Sequence, residues 1–214
     1  AVKATFKRGG NVYIPSFAVG RTQDLIYIFN KLVRDGRLAS PLDIYVDSPL
    51  ADEATKVYFS HPELFDEDAK RLFGKKKGKA VRVHFTSSVQ ESRKLNRITS
   101  GAIVMAGSGM CEGGRIRHHL KHNLWRPECS VVFVGFQAKG TLGRAIIDGA
   151  KEVWILGDKI AIRSRVYTIG GFSAHADQKE LLEWLGLFQN KPEVFIVHGE
   201  EASALEFEKQ VKEK

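Results

Sequence analysis

Short runs of consecutive apolar residues, rich in Val and Ile, recur along this chain at residues 11–15, 42–46, 81–85, 102–106, 131–134 and 194–197. Between them lie segments in which apolar positions return every three or four residues, at 22–33, 51–59, 62–73, 89–98, 115–124 and 178–188. The first pattern predicts strands covered on both faces, the second amphipathic helices. Strands alternating with helices predict right-handed β-α-β units, hence an α/β fold with a mostly parallel sheet and helices on both its faces. From 153 to 169 the pattern turns to alternation, with Gly157-Asp158 in the middle, which predicts a hairpin. It separates the repeating α/β part from a histidine-bearing tail.

In a parallel sheet the loops that follow the strands gather at one edge, where ligands bind. Here those loops are Ser16-Phe-Ala-Val-Gly20-Arg21, Asp47-Ser48-Pro49-Leu50, Thr86-Ser87-Ser88, Gly107-Ser108-Gly109 through Gly114-Arg115, and Gly135 through Lys139-Gly-Thr141-Leu-Gly143-Arg144. Glycines and small hydroxyls at helix starts present backbone N–H groups to an anion. Three of the junctions share a Gly-Arg step, at Arg21, Arg115 and Arg144. A cation there opposes the helix dipole by roughly 0.3–1 kcal/mol. A phosphate backbone between dipole and guanidinium accounts for the placement; loop carbonyls or acidic side chains as the arginines' partners are the plainer alternative.

Charge points the same way. The 214 residues carry 33 Lys and Arg against 25 Asp and Glu, a net +8, which favours a polyanionic partner. The chain is otherwise of ordinary globular composition, 43% hydrophobic, with no apolar run of membrane-spanning length. Its two cysteines, Cys111 and Cys129, have no metal-ligand spacing, so free thiols and a cytoplasmic setting are expected. The opening, Ala1 to Arg8, has no initiator methionine and runs almost at once into a strand. It reads as a cut inside a longer protein.

The candidate chemistry lies near the end, in Gly170-Gly-Phe-Ser-Ala-His175-Ala-Asp177 and Val197-His198-Gly-Glu200. Each histidine follows an apolar run that reads as a strand, as in a metal-assisted hydrolase. No His-x-His-x-Asp-His or Cys-x-x-Cys cluster accompanies them, so they look like half of an active site. Weaker signals are the Lys-rich loop at 74–79, more simply a solvated tip, and His118, His119 and His122. His118 and His122 have metal-ligand spacing but no Glu between them to make a zincin motif. His61 is expected at the surface and His84 in the core or at a sheet edge. Trp125, Trp154 and Trp184 are expected to pack, and Asp47, placed after a strand where catalysis or coordination is the alternative, to cap the next turn.

The stretches 14–23, 46–51, 106–110, 140–144, 170–177 and 197–200 together resemble the β-CASP branch of the metallo-β-lactamase nucleases, which includes ribonuclease J and the 73-kDa polyadenylation cleavage subunit. The resemblance implies that residues 1–168 are the β-CASP cap and 169–214 the C-terminal segment of the metallo-β-lactamase domain. It implies His175 as the motif B histidine at the scissile phosphate and His198 as a zinc ligand in motif C. A histidine at 198 is similar to the RNA-cleaving members rather than the DNA-processing ones. The cofactor implied is Zn²⁺, two ions in the full-length parent.

The implied partners are single-stranded RNA, the preceding metallo-β-lactamase half and, as an option, a second copy. RNA would be gripped at Ser16, Arg21, Ser48, Ser108, Gly109, Arg115, Lys139, Thr141 and Arg144. The chain by itself, without most zinc ligands, is expected to be inactive. Competing readings are a non-catalytic RNA-binding or scaffold subunit, a DNA-processing relative and a small-nucleotide domain. The last is weakened by the absence of a Walker sequence.

Overall fold

The computed structural model describes residues 1–74, 80–172 and 175–213. The basic run at 75–79 and Ser173-Ala174 of the first histidine motif lie outside the described residues. Where an early strand is expected, the chain opens with a helix, α1 (Val2–Lys7). Thr5 anchors it: its hydroxyl bonds the Ala1 carbonyl at 3.0 Å and shares a buried 2.7 Å contact with Ser130. Gly9, at φ +74°, turns the chain out of the helix in a conformation that costs glycine least.

There follow β1 (Val12–Pro15), α2 (Arg21–Arg34), β2 (Leu42–Asp47), α3 (Pro49–Ser60), α4 (Glu67–Gly74), β3 (Val81–Phe85) and α5 (Val89–Leu95). Next come β4 (Ala102–Ala106), α6 (Ile116–Asn123), β5 (Ser130–Phe133), α7 (Leu142–Ile147), β6 (Glu152–Ile155), β7 (Asp158–Ala161) and β8 (Arg165–Thr168). The helix expected at 62–73 is broken, a 3-10 turn at Pro62–Leu64 preceding α4. Phe65 is extended between them, and the Asp66 carboxylate accepts the Ala69 N–H at 2.7 Å.

Six strands form one parallel sheet in the order β3-β2-β4-β1-β5-β8, flanked by helices. The continuous apolar runs are its middle: every residue of β1, β4 and β5 is buried, as strands covered on both faces require. The outer strand β3 instead alternates buried and open positions. The amphipathic stripe of α2 buries Leu25, Ile26, Phe29 and Val33. Ser48, Ser88 and Thr141 cap α3, α5 and α7, and Pro49 at the first position of α3 suits a helix start.

The expected hairpin is β6 and β7, paired antiparallel around Leu156-Gly157 with both residues at positive φ, as a tight two-residue turn needs. The third part of the alternating stretch, β8, joins the main sheet parallel to β5 instead. Alternation points Val153 and Ile155 inward and leaves Trp154 68% exposed. Trp125 and Trp184 are also about half exposed, so the expectation that the three tryptophans pack is corrected.

The chain divides into two compact units, 1–171 and 172–214. The second holds α8 (Gln178–Leu185) and α9 (Glu201–Lys212), neither with a buried residue. Residues 194–197 form no strand, contrary to expectation. A strand needs a neighbour to take its N–H and C=O groups, and none of the described strands pairs with it. Among the described residues no helix is long and apolar enough to cross a membrane.

Candidate functional site

Because all six strands run the same way, the loops after β1, β2, β3, β4 and β5 emerge at the same edge of the sheet. Beneath that edge lies a buried polar cluster centred on Asp47, the last residue of β2. Its carboxylate accepts hydrogen bonds from the Ser92 hydroxyl at 2.6 Å, Arg115 Nη1 at 2.8 Å and His119 Nε2 at 2.6 Å, and from the Thr86 hydroxyl. Burial by itself pushes this carboxyl up, but the hydrogen bonds from His119, Ser92, Thr86 and Arg115 together hold it well below the ordinary carboxylate range. Asp47 therefore anchors four elements instead of capping α3, which Ser48 does by accepting the Ala51 N–H at 3.2 Å.

Arg115 extends the cluster upward by donating to the Thr86 carbonyl at 3.1 Å and the Ser87 carbonyl at 3.0 Å. The cluster is not a nucleophilic triad. Ser92 and His119 both donate to Asp47 Oδ2, and His119 Nδ1 has no partner, so no imidazole accepts from the serine hydroxyl.

The other expected contact residues divide by exposure. Ser16 is buried, its hydroxyl 3.0 Å from that of Thr22. Arg21 pairs with Asp24 at 3.2 Å and Arg144 with Asp148 at 2.9 Å, both near the surface. All three Gly-Arg arginines thus have carboxylate partners, in line with the plainer alternative for each side chain. Lys139 is exposed. Thr141 accepts the Arg144 N–H at 3.2 Å and so caps α7.

Ser108 closes its own loop, exchanging hydrogen bonds with the Gly113 backbone at 3.1 and 3.2 Å. That loop is fastened to the next by Gln137 Nε2, which donates to the Gly109 carbonyl at 2.9 Å, and by the Gly143 N–H, which donates to the Met110 carbonyl at 3.1 Å. Gly114 sits at φ +72° with the Gly107 carbonyl oxygen 2.2 Å from where a Cβ would stand, so only glycine fits.

Of the three clustered histidines, the one turned inward is His119, 1% exposed and stacked at 6.1 Å on Tyr13. His118 and His122, the pair with ligand spacing, are exposed. His84 lies on the edge strand and reaches Asp43 at 2.8 Å. Burial pushes both cysteine thiols up, Cys111 to about 12, and both are free, as inert core thiols are.

In the second unit, His175 and His198 are both exposed. His198 adopts φ +64°, a left-handed conformation uncommon outside glycine, and Gly199 follows it. Asp177 caps α8 in a reciprocal box, its carboxylate taking the Glu180 N–H and the Glu180 carboxylate taking its own N–H, each at 2.9 Å. Among the described residues no three His, Cys, Asp or Glu side chains are grouped to hold a metal ion. The residues present do not by themselves fit a zinc centre.

Residues 22–146, more than half of the chain, match the Beta-Casp domain family. The chain belongs to the β-CASP family. Residues 159–214 match the Zn-dependent metallo-hydrolase RNA specificity domain, a match that begins within β7 and runs through both histidine motifs. The chain is 41% identical over 206 residues to Ribonuclease TTHA0252 of Thermus thermophilus, covering 95% of this chain and 46% of the relative. It is 33% identical to the RNase J-like protein of Methanocaldococcus jannaschii, covering 96% and 47%, and 33% identical to Transcription termination factor FttA of Methanosarcina mazei, covering 100% and 34%. The chain spans between a third and a half of the length of these relatives. The family membership and the all-parallel sheet agree with the resemblance carried by the loop motifs. Asp47, Thr86, Ser92 and His119 were not singled out as a set by sequence, because their partnership crosses four elements, and neither was Gln137, which braces the β4 loop against the β5 loop.

Proposed function

We propose that this chain is the RNA-gripping cap, and a contributor to the active site, of a zinc-dependent ribonuclease that hydrolyses phosphodiesters in RNA processing or decay. The observation that carries the proposal is the gathering of five glycine- and hydroxyl-rich loops at one edge of the sheet in a chain of net charge +8. Such an edge grips a phosphate backbone without reading sequence. Lys139 and Arg144 lie nearest the outside and, with Arg21, supply the charge. Ser48, Ser108, Gly109 and Thr141 present the backbone turns, Arg115 holds its loop in shape as well as facing the strand, and buried Ser16 acts from beneath by fixing the β1 loop through Thr22. The relatives named ribonuclease support RNA as the substrate.

In this reading His175 lies against the scissile phosphate, where an imidazole stabilises developing negative charge or protonates the leaving oxygen. The proposed role of His198 is that of one metal donor. Its exposure and left-handed backbone are unusual costs for a residue with only a packing role. Among the described residues the zinc group does not fit on this chain alone. The proposed setting is the cytoplasm, with both thiols reduced.

Two measurements test the proposal. The chain incubated with end-labelled single-stranded RNA and Zn²⁺ should retain RNA in a salt-sensitive way without cutting it. Each surface cation lost, Lys139→Ala for example, should lower the salt slope by about one. In the full-length protein, His175→Ala should lower turnover while metal content stays unchanged; loss of zinc from that variant would show the role is misassigned. A second reading, a transcription termination factor, is favoured by the FttA relatives. Full-length protein that binds RNA but never cleaves it would support that one.

A further inference from the structure

We propose that Phe17 and Phe136 form a base-stacking site for single-stranded RNA on the loop edge; the inference rests on the RNA-binding reading above. Past five of the six strand ends at that edge, in the loop or in the first turn of the helix after it, stands an exposed large apolar side chain. Val89 follows β3, Leu50 follows β2, Phe17 and Val19 follow β1, Phe136 follows β5 and Ile169 follows β8, at 43–64% exposure. Single exposed apolar residues are ordinary, but a row of them along one functional edge marks a surface that something covers.

The two aromatic members belong to neighbouring strands and are tied to the same glycine. Three ring carbons of Phe17 lie 2.8–3.1 Å from where a Cβ on Gly109 would stand. Gly109 is not at positive φ, so close approach of the ring, and not backbone conformation, is what calls for glycine there. Gln137 Nε2 bridges the Gly109 and Phe136 carbonyls, at 2.9 Å each. The Phe17 carbonyl is held by the Thr22 hydroxyl at 2.7 Å.

Each ring therefore stands on a braced backbone while remaining more than half exposed, 53% for Phe17 and 62% for Phe136. A fixed aromatic surface open to solvent is what a nucleobase stacks on, and every base offers a π face, so the site is sequence-tolerant. Charge selects RNA over an apolar protein surface as the occupant. Arg21 follows Phe17 and Lys139 follows Phe136 within the same loops, in a chain of net charge +8. The cations draw the backbone in and the rings take its bases.

The test is fluorescence anisotropy of the whole chain with a short oligouridine and with an abasic ribose-phosphate strand of the same length, each across a salt series. Phe17→Leu and Phe136→Leu should each weaken oligouridine binding about tenfold. Both should leave the abasic strand and the salt slope unchanged, and Phe17→Tyr should restore affinity. Gly109→Ala, which forces the Phe17 ring aside, should reproduce the Phe17→Leu loss. Leucine variants that bind oligouridine like the wild type overturn the stacking site, while salt-sensitive binding leaves the RNA-gripping cap standing. An equal loss on both strands also overturns it and makes the rings props for the loops or for another protein domain. If the unaltered chain binds neither strand at low salt, both the stacking site and the RNA-gripping reading fall.

Discussion

The two units of this chain contain similar apolar runs and treat them in opposite ways. In the first, Ile103 and Val104 of β4 are fully buried; in the second, Phe195 and Val197 are 76% and 80% exposed. β4 has β1 on one side and β2 on the other to take its backbone hydrogen bonds, and helices on the sheet faces, among them α6 through Ile116 and Leu120, to cover its side chains. Residues 194–197 have no such neighbour among the described strands. An apolar run is thus a capacity for a strand, realised only beside a partner. Of the histidines in the first unit His119 is sealed against Asp47, whereas His175 and His198 of the second are both open.

The sharpest way to break this comparison is to remove the group that seals the first unit. Asp47→Ala strands His119 and Arg115 beneath the loop edge and should cost about 3–5 kcal/mol in urea unfolding. Exposed His198→Ala should shift the same transition by no more than about 0.5 kcal/mol. Equal effects would mean that the Asp47 cluster is not the anchor its geometry describes.

Neighbouring glycines of the β4 loop offer a second contrast. Gly114→Ala meets the Gly107 carbonyl and a positive φ, and should cost roughly 1–3 kcal/mol. Gly113→Ala finds nothing within 4 Å and no such φ, and should be nearly neutral.

Acid should act through Asp47. Its carboxyl is held low in the folded chain, whereas the unfolded chain takes up that proton near pH ~3.9. Its contribution is complete above that pH and is lost as pH falls toward the lower folded value, so stability declines through the acid range. Asp43, lowered chiefly by Arg82, adds to the same slope. Asp47→Asn should flatten the acid limb of stability against pH; an unchanged slope would assign the acid sensitivity elsewhere.

The smallest expected effect is optical. With Trp125, Trp154 and Trp184 each half exposed or more, indole emission should be quenched readily by acrylamide in the native chain and shift little on unfolding. A strongly blue native emission would place those rings in a core.

Much of the first unit was legible in the residues themselves. Continuous Val- and Ile-rich runs gave away β1, β4 and β5, since strands covered on both faces cannot alternate, and β2 and β3 read as strands beside them although β3 alternates at the sheet edge. The Gly-Asp step announced the β6–β7 hairpin, though one residue late: the turn at positive φ is Leu156-Gly157, and Asp158 already pairs with Ile155. The loop motifs identified the β-CASP family, their residues being chosen by turn geometry within each loop. Misread were α1, where Thr5 gains a distant partner in Ser130, and the strand expected at 194–197, which needs a neighbour.

Sequence by itself determined the α/β class, the order of the central elements and which residue types line the loop edge, because these follow from periodicity and turn chemistry within a few residues. Tertiary structure alone decided that Asp47, Thr86, Ser92, Arg115 and His119 form one cluster, that the Phe17 ring packs on Gly109 and that Gln137 joins the Gly109 carbonyl to that of Phe136. Those partnerships join loops tens of residues apart, and no local pattern encodes a contact that exists only once the sheet has closed.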